Sequence, residues 1–153
     1  MRLTAWRIAK RKHAKTAFTG EGARLFGGRW NNPGTFIVYT AQSQSLAVLE
    51  MLVHLDSPEL LGKYVLFEVG IDDSLITHVD PSRLPRTWRA DPPPSRARAI
   101  GDDWINAGTS AVLRVPSALV PTENNFLLNP RHKDFSGLRI SKPIPFRFDS
   151  RLT

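Results

Sequence analysis

The chain has 153 residues, enough for one domain with a sizeable core and too few for a second. Hydrophobic residues make up 41% and charged residues 23%, which excludes a disordered, collagen-like or coiled-coil protein. The net charge of +7 predicts anionic partners. The lack of cysteine excludes disulfides, thiolate nucleophiles and cysteine zinc sites, and no apolar run is long enough to cross a bilayer. We therefore expect a cytoplasmic protein without membrane contact.

The first half of the chain predicts two strands, a glycine-rich loop and a helix. Residues 3–9 predict a strand, and the cationic run at 10–15 is expected to be solvated. Five glycines within 20–34 predict a structured loop at a density that no helix would carry. Residues 35–40 predict a strand buried on both faces. Residues 46–55 predict a helix that is buried nearly all round.

The second half predicts short strands around one helix. Five prolines break residues 80–94 into an irregular surface connection, and residues 96–107 predict a helix that ends at Gly108. The remaining predicted strands are 63–71, 111–115, 127–128 and short pieces within 138–148. The whole chain, residues 1–153, is therefore expected to be a single domain of mixed α and β structure in which strands predominate.

Several common functional motifs are absent from the sequence. The segment Gly20-Glu-Gly-Ala-Arg-Leu25 begins like a dinucleotide fingerprint, but Leu25 stands where the third glycine should be. Ser117 lacks the flanking glycines of a nucleophile elbow, and the four histidines do not show metal-ligand spacing. These absences disfavour a Rossmann domain, a serine hydrolase and a metal site.

Glu50 is the first candidate functional residue because it is a carboxylate within an otherwise apolar helical segment. A carboxylate that is partly buried requires either a partner or a chemical task. A structural ion pair with an arginine, or a helix edge at the surface, explains it about as well as catalysis. His54 lies one predicted turn further on and is more typical of a core histidine than of a catalyst.

Arg29 and Tyr39 are the second and third candidates. Arg29 ends the glycine-rich loop, where backbone can approach a ligand closely and a guanidinium can bind a diphosphate, although a surface arginine is the commoner case. Tyr39 lies near the end of the second predicted strand and could stack on a flat heterocycle, although tyrosines in strands usually serve packing.

These residues belong to a longer pattern that resembles the RES domain, the toxin of bacterial RES-Xre toxin-antitoxin modules. The similarity covers nearly the whole chain and is specific. It is carried by Trp6-Arg-Ile8, Gly22-Ala-Arg-Leu-Phe-Gly-Gly-Arg-Trp-Asn-Asn-Pro-Gly34, Val38-Tyr-Thr-Ala41, Leu46-Ala-Val-Leu-Glu50, Val53-His-Leu55, Val115-Pro-Ser-Ala118 and Glu123-Asn-Asn-Phe-Leu-Leu-Asn-Pro-Arg-His132.

The resemblance implies an α+β, ADP-ribosyltransferase-like fold with a central mixed or antiparallel split β-sheet flanked by helices. It also implies a toxin that arrests growth by cleaving the nicotinamide–ribose bond of NAD, with water or phosphate as acceptor. NAD is then the substrate, and no cofactor is expected. A few members modify a protein instead, and the sequence does not separate the two activities.

The resemblance also implies roles for individual residues. Glu50 serves the ribose, Arg7 and Arg29 hold the dinucleotide, Tyr39 stacks near nicotinamide and Ser117 completes the pocket. His54, Asn125 and His132 are candidates for supporting positions around that pocket. Trp6 and Phe126 stand where tyrosine is common in relatives, so they receive no hydrogen-bonding role.

The implied partner is an Xre-family antitoxin, through which nucleic acid is contacted only indirectly. The oligomeric state stays open, with a homodimer among the alternatives. A different hypothesis is a small basic nucleic-acid-binding module that uses residues 10–15 and stacks bases on Trp30 or Trp88. Its weakness is that the arginines are dispersed and Glu50 would have no purpose.

Overall fold

Residues 1–152 are described by the structure, a computed structural model, and they contain eight strands and four α-helices. The strands are β1 (Arg2–Lys10), β2 (Val38–Ala41), β3 (Tyr64–Asp72), β4 (Ile76–His78), β5 (Val112–Pro116), β6 (Asn124–Leu128), β7 (Arg139–Ile140) and β8 (Ile144–Phe146). The helices are α1 (Glu21–Phe26), α2 (Gln44–Leu52), α3 (Ser57–Leu60) and α4 (Ser95–Ala107). Within this part of the chain, no helix is long and apolar enough to span a membrane.

All eight strands join one mixed sheet in the order β4-β5-β6-β2-β1-β3-β7, and β8 pairs with β3 beside β7. The β4–β5 pair is parallel and the other pairs are antiparallel. Strand β1 pairs with β3 at nine positions but with β2 only at Trp6 and Ala41. The sheet is therefore nearly split along the seam between β1 and β2.

Helices α2 and α4 cover different parts of this sheet. Helix α2 buries Leu46 and Ala47 against Ile8 of β1 and Ala41 of β2. Helix α4 buries a stripe at helical spacing against β5 and β6, as expected for an amphipathic helix; the stripe consists of Ala97, Ile100, Gly101 and Trp104. One face of β2, β5 and β6 lies between the two helices. The strand register places the side chains of Tyr39, Val115 and Asn125 on this face.

The predicted α+β class and most predicted elements are confirmed. The predicted strands at 3–9 and 63–71 correspond to β1 and β3, and the predicted helix at 96–107 corresponds to α4 and ends before Gly108. The predicted strand at 35–40 is shifted, since β2 begins at Val38.

Two sequence expectations are wrong. The glycine-rich loop contains the six-residue helix α1, which Arg24 and Glu21 stabilise by a side-chain ion pair one turn apart. Helix α2 is not buried nearly all round, because only one of its faces meets the sheet: Leu49 is 40% exposed, and Val53, which follows the helix, is 56% exposed.

Candidate active site

Glu50 lies on α2 with its carboxylate directed toward the sheet. The helix begins after Ser43, whose side chain accepts a hydrogen bond from the Leu46 backbone N–H. Ser117 Oγ donates to Glu50 Oε2 at 2.9 Å, and Asn125 Nδ2 donates to Glu50 Oε1 at 2.7 Å. Each carboxylate oxygen thus has its own neutral donor.

The electrostatic setting of Glu50 favours a functional carboxyl group. Burial raises its pKa, while the hydrogen bonds from Asn125 and Ser117 oppose that rise and the negative charge of Glu123 adds to it. No Lys, Arg or His in residues 1–152 lies within ion-pair distance of this carboxylate. The hypothesis of an arginine ion pair is therefore wrong, and the Glu50 charge is not neutralised within the described chain.

Ser117 and Asn125 are held rigidly beneath Glu50. Ser117 directly follows β5, is 0% exposed, and accepts hydrogen bonds at Oγ from the backbone N–H groups of Leu119 and Val120 at 3.2 and 3.3 Å. Asn125 of β6 also donates to the Thr40 carbonyl at 3.2 Å. The donors are thus fixed before any ligand arrives, as an electrostatically preorganised site requires.

Tyr39 shares the sheet face of Asn125 and stands diagonally from it across β2 and β6, a separation of about 7–8 Å between backbones. Its hydroxyl donates to Asn31 Oδ1 at 2.5 Å and accepts from the Trp30 N–H at 3.2 Å. Burial raises the pKa of this hydroxyl. A Cβ at Gly28 would lie 2.6 Å from the Tyr39 hydroxyl, so glycine is required there. Tyr39 therefore anchors the glycine-rich loop beside the site.

Arg29 leaves the same loop and reaches the proline-rich connection. Its Nη1 donates to the carbonyls of Trp88 and Ala90, both at 2.8 Å. Burial is the main cause that lowers its pKa, and the positive charge of Arg89 also lowers it. The sequence did not reveal this attachment, because Trp88 lies 59 residues away along the chain.

Arg7 crosses the seam where β1 and β2 separate. Its Nε donates to the Ala17 carbonyl at 2.7 Å and its Nη1 to the Tyr39 carbonyl at 2.9 Å. Burial lowers the pKa of Arg7 to about 10, and no carboxylate in residues 1–152 forms an ion pair with it. Arg7 is thus a half-buried cation that holds β2, and its Nη2 makes no hydrogen bond within residues 1–152.

The two histidines named from the sequence do not join Glu50. Helix α2 ends at Leu52, so His54 is not on the same helical face as Glu50, and it is exposed rather than in the core. His132 contacts the Gly108 carbonyl through Nε2 at 3.0 Å, at the C-terminal end of α4. Trp6 packs beneath α2, and Phe126 is buried on the sheet face opposite Asn125.

Two structural residues of the site were missed by sequence reasoning. Asn31 is 0% exposed and donates to the carbonyls of Ala23 and Asn32 while it accepts from Tyr39. Asp102 of α4 accepts from the Asn32 side chain at 2.7 Å. An asparagine inside a glycine-rich turn was the available signal for Asn31, whereas nothing local distinguished Asp102 from a solvated helix residue.

The nucleic-acid hypothesis loses one of its stacking groups. Trp30 is 1% exposed and stacks on Trp88 with ring centroids 5.9 Å apart. The basic run lies elsewhere, around a surface cavity of about 730 Å³ that includes Lys10, Arg11, Lys12 and Lys63. Neither Trp30 nor Trp88 lines this cavity, so the basic run and the tryptophans do not form one base-stacking groove there.

Comparison with known proteins shows the family of this chain. The family model described as RES domain matches residues 4–149. The chain belongs to the RES domain family. It is 46% identical to Toxin Res of Yersinia enterocolitica over 148 residues, which cover 96% of this chain and 97% of that protein. It is 37% identical to the Prs ADP-ribosylating toxin of a Sphingobium species, over 99% of this chain and 98% of that protein.

The RES fold of this chain also has a solved counterpart. A chain of the crystal structure of the M. tuberculosis MbcT-MbcA toxin-antitoxin complex superposes with a TM-score of 0.78 at 20% identity, covering 96% of this chain and 85% of that chain. This likeness shows that the two chains share one fold, and the predicted single α+β domain with a mixed sheet is confirmed. The two relatives, which match 96% and 99% of this chain, are both named as toxins. This RES-domain protein is therefore a toxin.

Proposed function

We propose that this RES-domain toxin cleaves the bond between nicotinamide and ribose in NAD and thereby depletes the cell of NAD. The observation that carries the proposal is the carboxylate of Glu50. It is half-buried, it is held by the neutral donors of Ser117 and Asn125, and it has no cation partner in the described chain. A carboxylate in that state suits a substrate that develops positive charge in the transition state.

The reaction follows from the charges on NAD. The bond from ribose C1′ to the pyridinium nitrogen breaks, both electrons leave with the nitrogen, and nicotinamide departs neutral. The ribose becomes oxocarbenium-like, and ionised Glu50 stabilises it through charge and hydrogen bonds to ribose hydroxyls. Water or phosphate then bonds to C1′ through oxygen, and water releases its proton to solvent. Nicotinamide needs no proton to leave, which fits a site with one carboxylate.

The neighbouring residues would bind the rest of NAD. Arg29, whose Nη1 is held by the Trp88 and Ala90 carbonyls, would contact the diphosphate with its remaining nitrogens. Arg7 would add positive charge from the seam, since burial makes its uncompensated charge strongly felt. The ring of Tyr39 would pack near nicotinamide, while its hydroxyl stays bonded to Asn31. Ser117 and Asn125 orient Glu50.

A second acceptor has specific support. The Sphingobium relative is named Prs ADP-ribosylating toxin and is 37% identical to this chain. The same pocket would serve a protein acceptor, because only the group that attacks C1′ differs. We also propose an Xre-family antitoxin as the partner that neutralises this toxin, since the solved neighbour comes from a toxin-antitoxin complex and the +7 charge suits an acidic contact surface. Nucleic acid would be contacted only through that antitoxin.

The activity can be tested with purified protein and NAD. We expect nicotinamide to appear together with ADP-ribose, or with its phosphorylated form when phosphate is present, as resolved by chromatography. Expression of the chain alone should lower intracellular NAD before growth stops, and the cognate antitoxin should restore both. Constant NAD together with ADP-ribose transferred to a protein would instead identify protein modification.

The pH dependence of turnover should reflect Glu50. An ordinary glutamate has a pKa of about 4.3. Because burial raises the pKa of Glu50, its carboxyl group becomes protonated at a higher pH than that. Activity should therefore fall as the pH is lowered, and the acid limb of the pH–rate profile should lie above the pKa of an ordinary glutamate. Asn125→Ala removes a hydrogen bond that lowers the Glu50 pKa, so its limb should shift to still higher pH. Initial rates across the acid range measure both limbs, and an unshifted limb in Asn125→Ala would argue against Glu50 as the titrating group.

A further inference from the structure

The segment of residues 86–91, here called the strap, lies across the glycine-rich loop. The carbonyls of Trp88 and Ala90 both accept from Arg29 Nη1 at 2.8 Å. The Trp88 ring stacks on the buried Trp30 with an interplanar angle of 29°. The residue between these two carbonyls, Arg89, is therefore held close to Arg29.

Arg89 connects the strap to the residue that follows Ser117. Its Nε donates to the Ala118 carbonyl at 2.8 Å. Ala118 follows Ser117, the residue that donates to Glu50. The side chain of Arg89 thus bridges the segment that holds Arg29 and the segment that holds Glu50, and both of its terminal nitrogens stay available.

The two guanidinium groups have no ion-pair partner within the described chain. Neither Arg29 nor Arg89 forms an ion pair within residues 1–152. Burial lowers the pKa of Arg29, the negative charge of Asp91 opposes this, and the positive charge of Arg89 lowers it further. Arg29 and Arg89 repel each other, Asp91 opposes this repulsion at Arg29, and an anion that contacts both guanidinium groups would add further favourable charge.

We propose that Arg89 is a second binding residue for the diphosphate of the dinucleotide, acting together with Arg29. This inference rests on the proposed function, which supplies the dinucleotide. A diphosphate carries two anionic groups, and each guanidinium can bind one of them through two parallel N–H donors. The bond from Arg89 to Ala118 fixes the position of this second group relative to Glu50.

The test compares Arg89→Ala with Arg86→Ala by titration calorimetry on the intact chain. Arg86→Ala is the matched control because it removes the same charge from the same strap. Arg86 is exposed and makes no hydrogen bond or ion pair within the described residues. Loss of a charge-assisted contact should weaken binding of ADP-ribose by about 10-fold or more in Arg89→Ala, and Arg86→Ala should change it by less than about 2-fold. Arg89→Lys should fall between wild type and alanine. Adenosine, which has no phosphate, should bind all variants equally.

Several results would overturn the inference. Equal losses in Arg89→Ala and Arg86→Ala would indicate only a general effect of net charge. A parallel loss of adenosine binding, or a large fall in melting temperature, would assign Arg89 a purely structural role in the strap. Failure of wild type to bind ADP-ribose would also overturn it.

Turnover distinguishes this inference from the proposed function. In a protein that cleaves NAD, Arg89→Ala should raise KM for NAD more than it lowers kcat, and an unchanged KM would reject Arg89 while the activity stands. If wild type does not cleave NAD but ADP-ribose binding depends on Arg89, the proposed function fails and the binding site remains.

Discussion

Glu50→Gln is expected to retain NAD binding while NAD turnover falls by about 100-fold or more, equivalent to about 2.7 kcal/mol. Glutamine has nearly the same size but lacks the negative charge that would face the oxocarbenium-like ribose. Interactions that matter mainly in the transition state affect the rate more than ground-state affinity. Turnover by chromatography and binding by calorimetry, measured on one preparation, give the two numbers.

The melting temperature of Glu50→Gln tests whether the Glu50 carboxylate has a mainly structural role. Burial raises the pKa of Glu50 above its value in the unfolded chain, so the stability linked to its proton is present below the unfolded pKa and is lost as pH rises through the folded pKa. At neutral pH the buried charge is thus a cost that glutamine removes. This gain opposes the poorer match of an amide to the two donors from Ser117 and Asn125. We therefore expect the melting temperature to change little.

The matched control for Glu50→Gln is Glu68→Gln, because Glu68 is an exposed carboxylate on β3 outside the candidate site. Its turnover and melting temperature should equal those of wild type. Near-wild-type turnover in Glu50→Gln would reject the catalytic assignment, whatever happened to its stability.

Gly101→Ala should destabilise the protein by about 3 kcal/mol, at the upper end of overpacking effects. A Cβ at this position in α4 would lie 1.9 Å from the Trp30 carbonyl oxygen and 2.9 Å from its carbon. These atoms are backbone, so α4 and the glycine-rich loop must separate. Alanine favours the helix by about 1 kcal/mol over glycine, which does not offset such a clash. For a domain of this size the melting temperature should fall by about 6–12 °C.

Gly22→Ala provides the opposite expectation for the same type of substitution. Gly22 lies in α1, and a Cβ there would have no heavy atom within 4 Å. The substitution should leave stability unchanged or raise it by up to about 1 kcal/mol. Thermal melts of the two variants compare them directly, and equal melting temperatures would contradict the close packing of α4 on Trp30.

Local patterns predicted the elements that carry the site. The β-branched and aromatic run at residues 35–40, which includes Tyr39, indicated a strand, and the apolar segment around Glu50 indicated a helix with an unusual carboxylate. The exposed side of α2 was not predictable, because Leu49 and Val53 are as apolar as the residues that meet the sheet. Only the placement of the helix on one sheet face decides which of them are buried.

The sequence by itself determined that Glu50 needs a partner or a task, because a carboxylate among apolar helix residues is costly to bury wherever the helix packs. Tertiary structure decided which side chains contact it. It brought Ser117 and Asn125, 67 and 75 residues away, to the carboxylate, and it placed Arg29 against the strap instead. Periodicity and composition are local properties, whereas these contacts depend on strand register and on how α2 and α4 lie across the sheet. The sequence therefore shows which side chain is unusual, but only the fold shows its electrostatic partner.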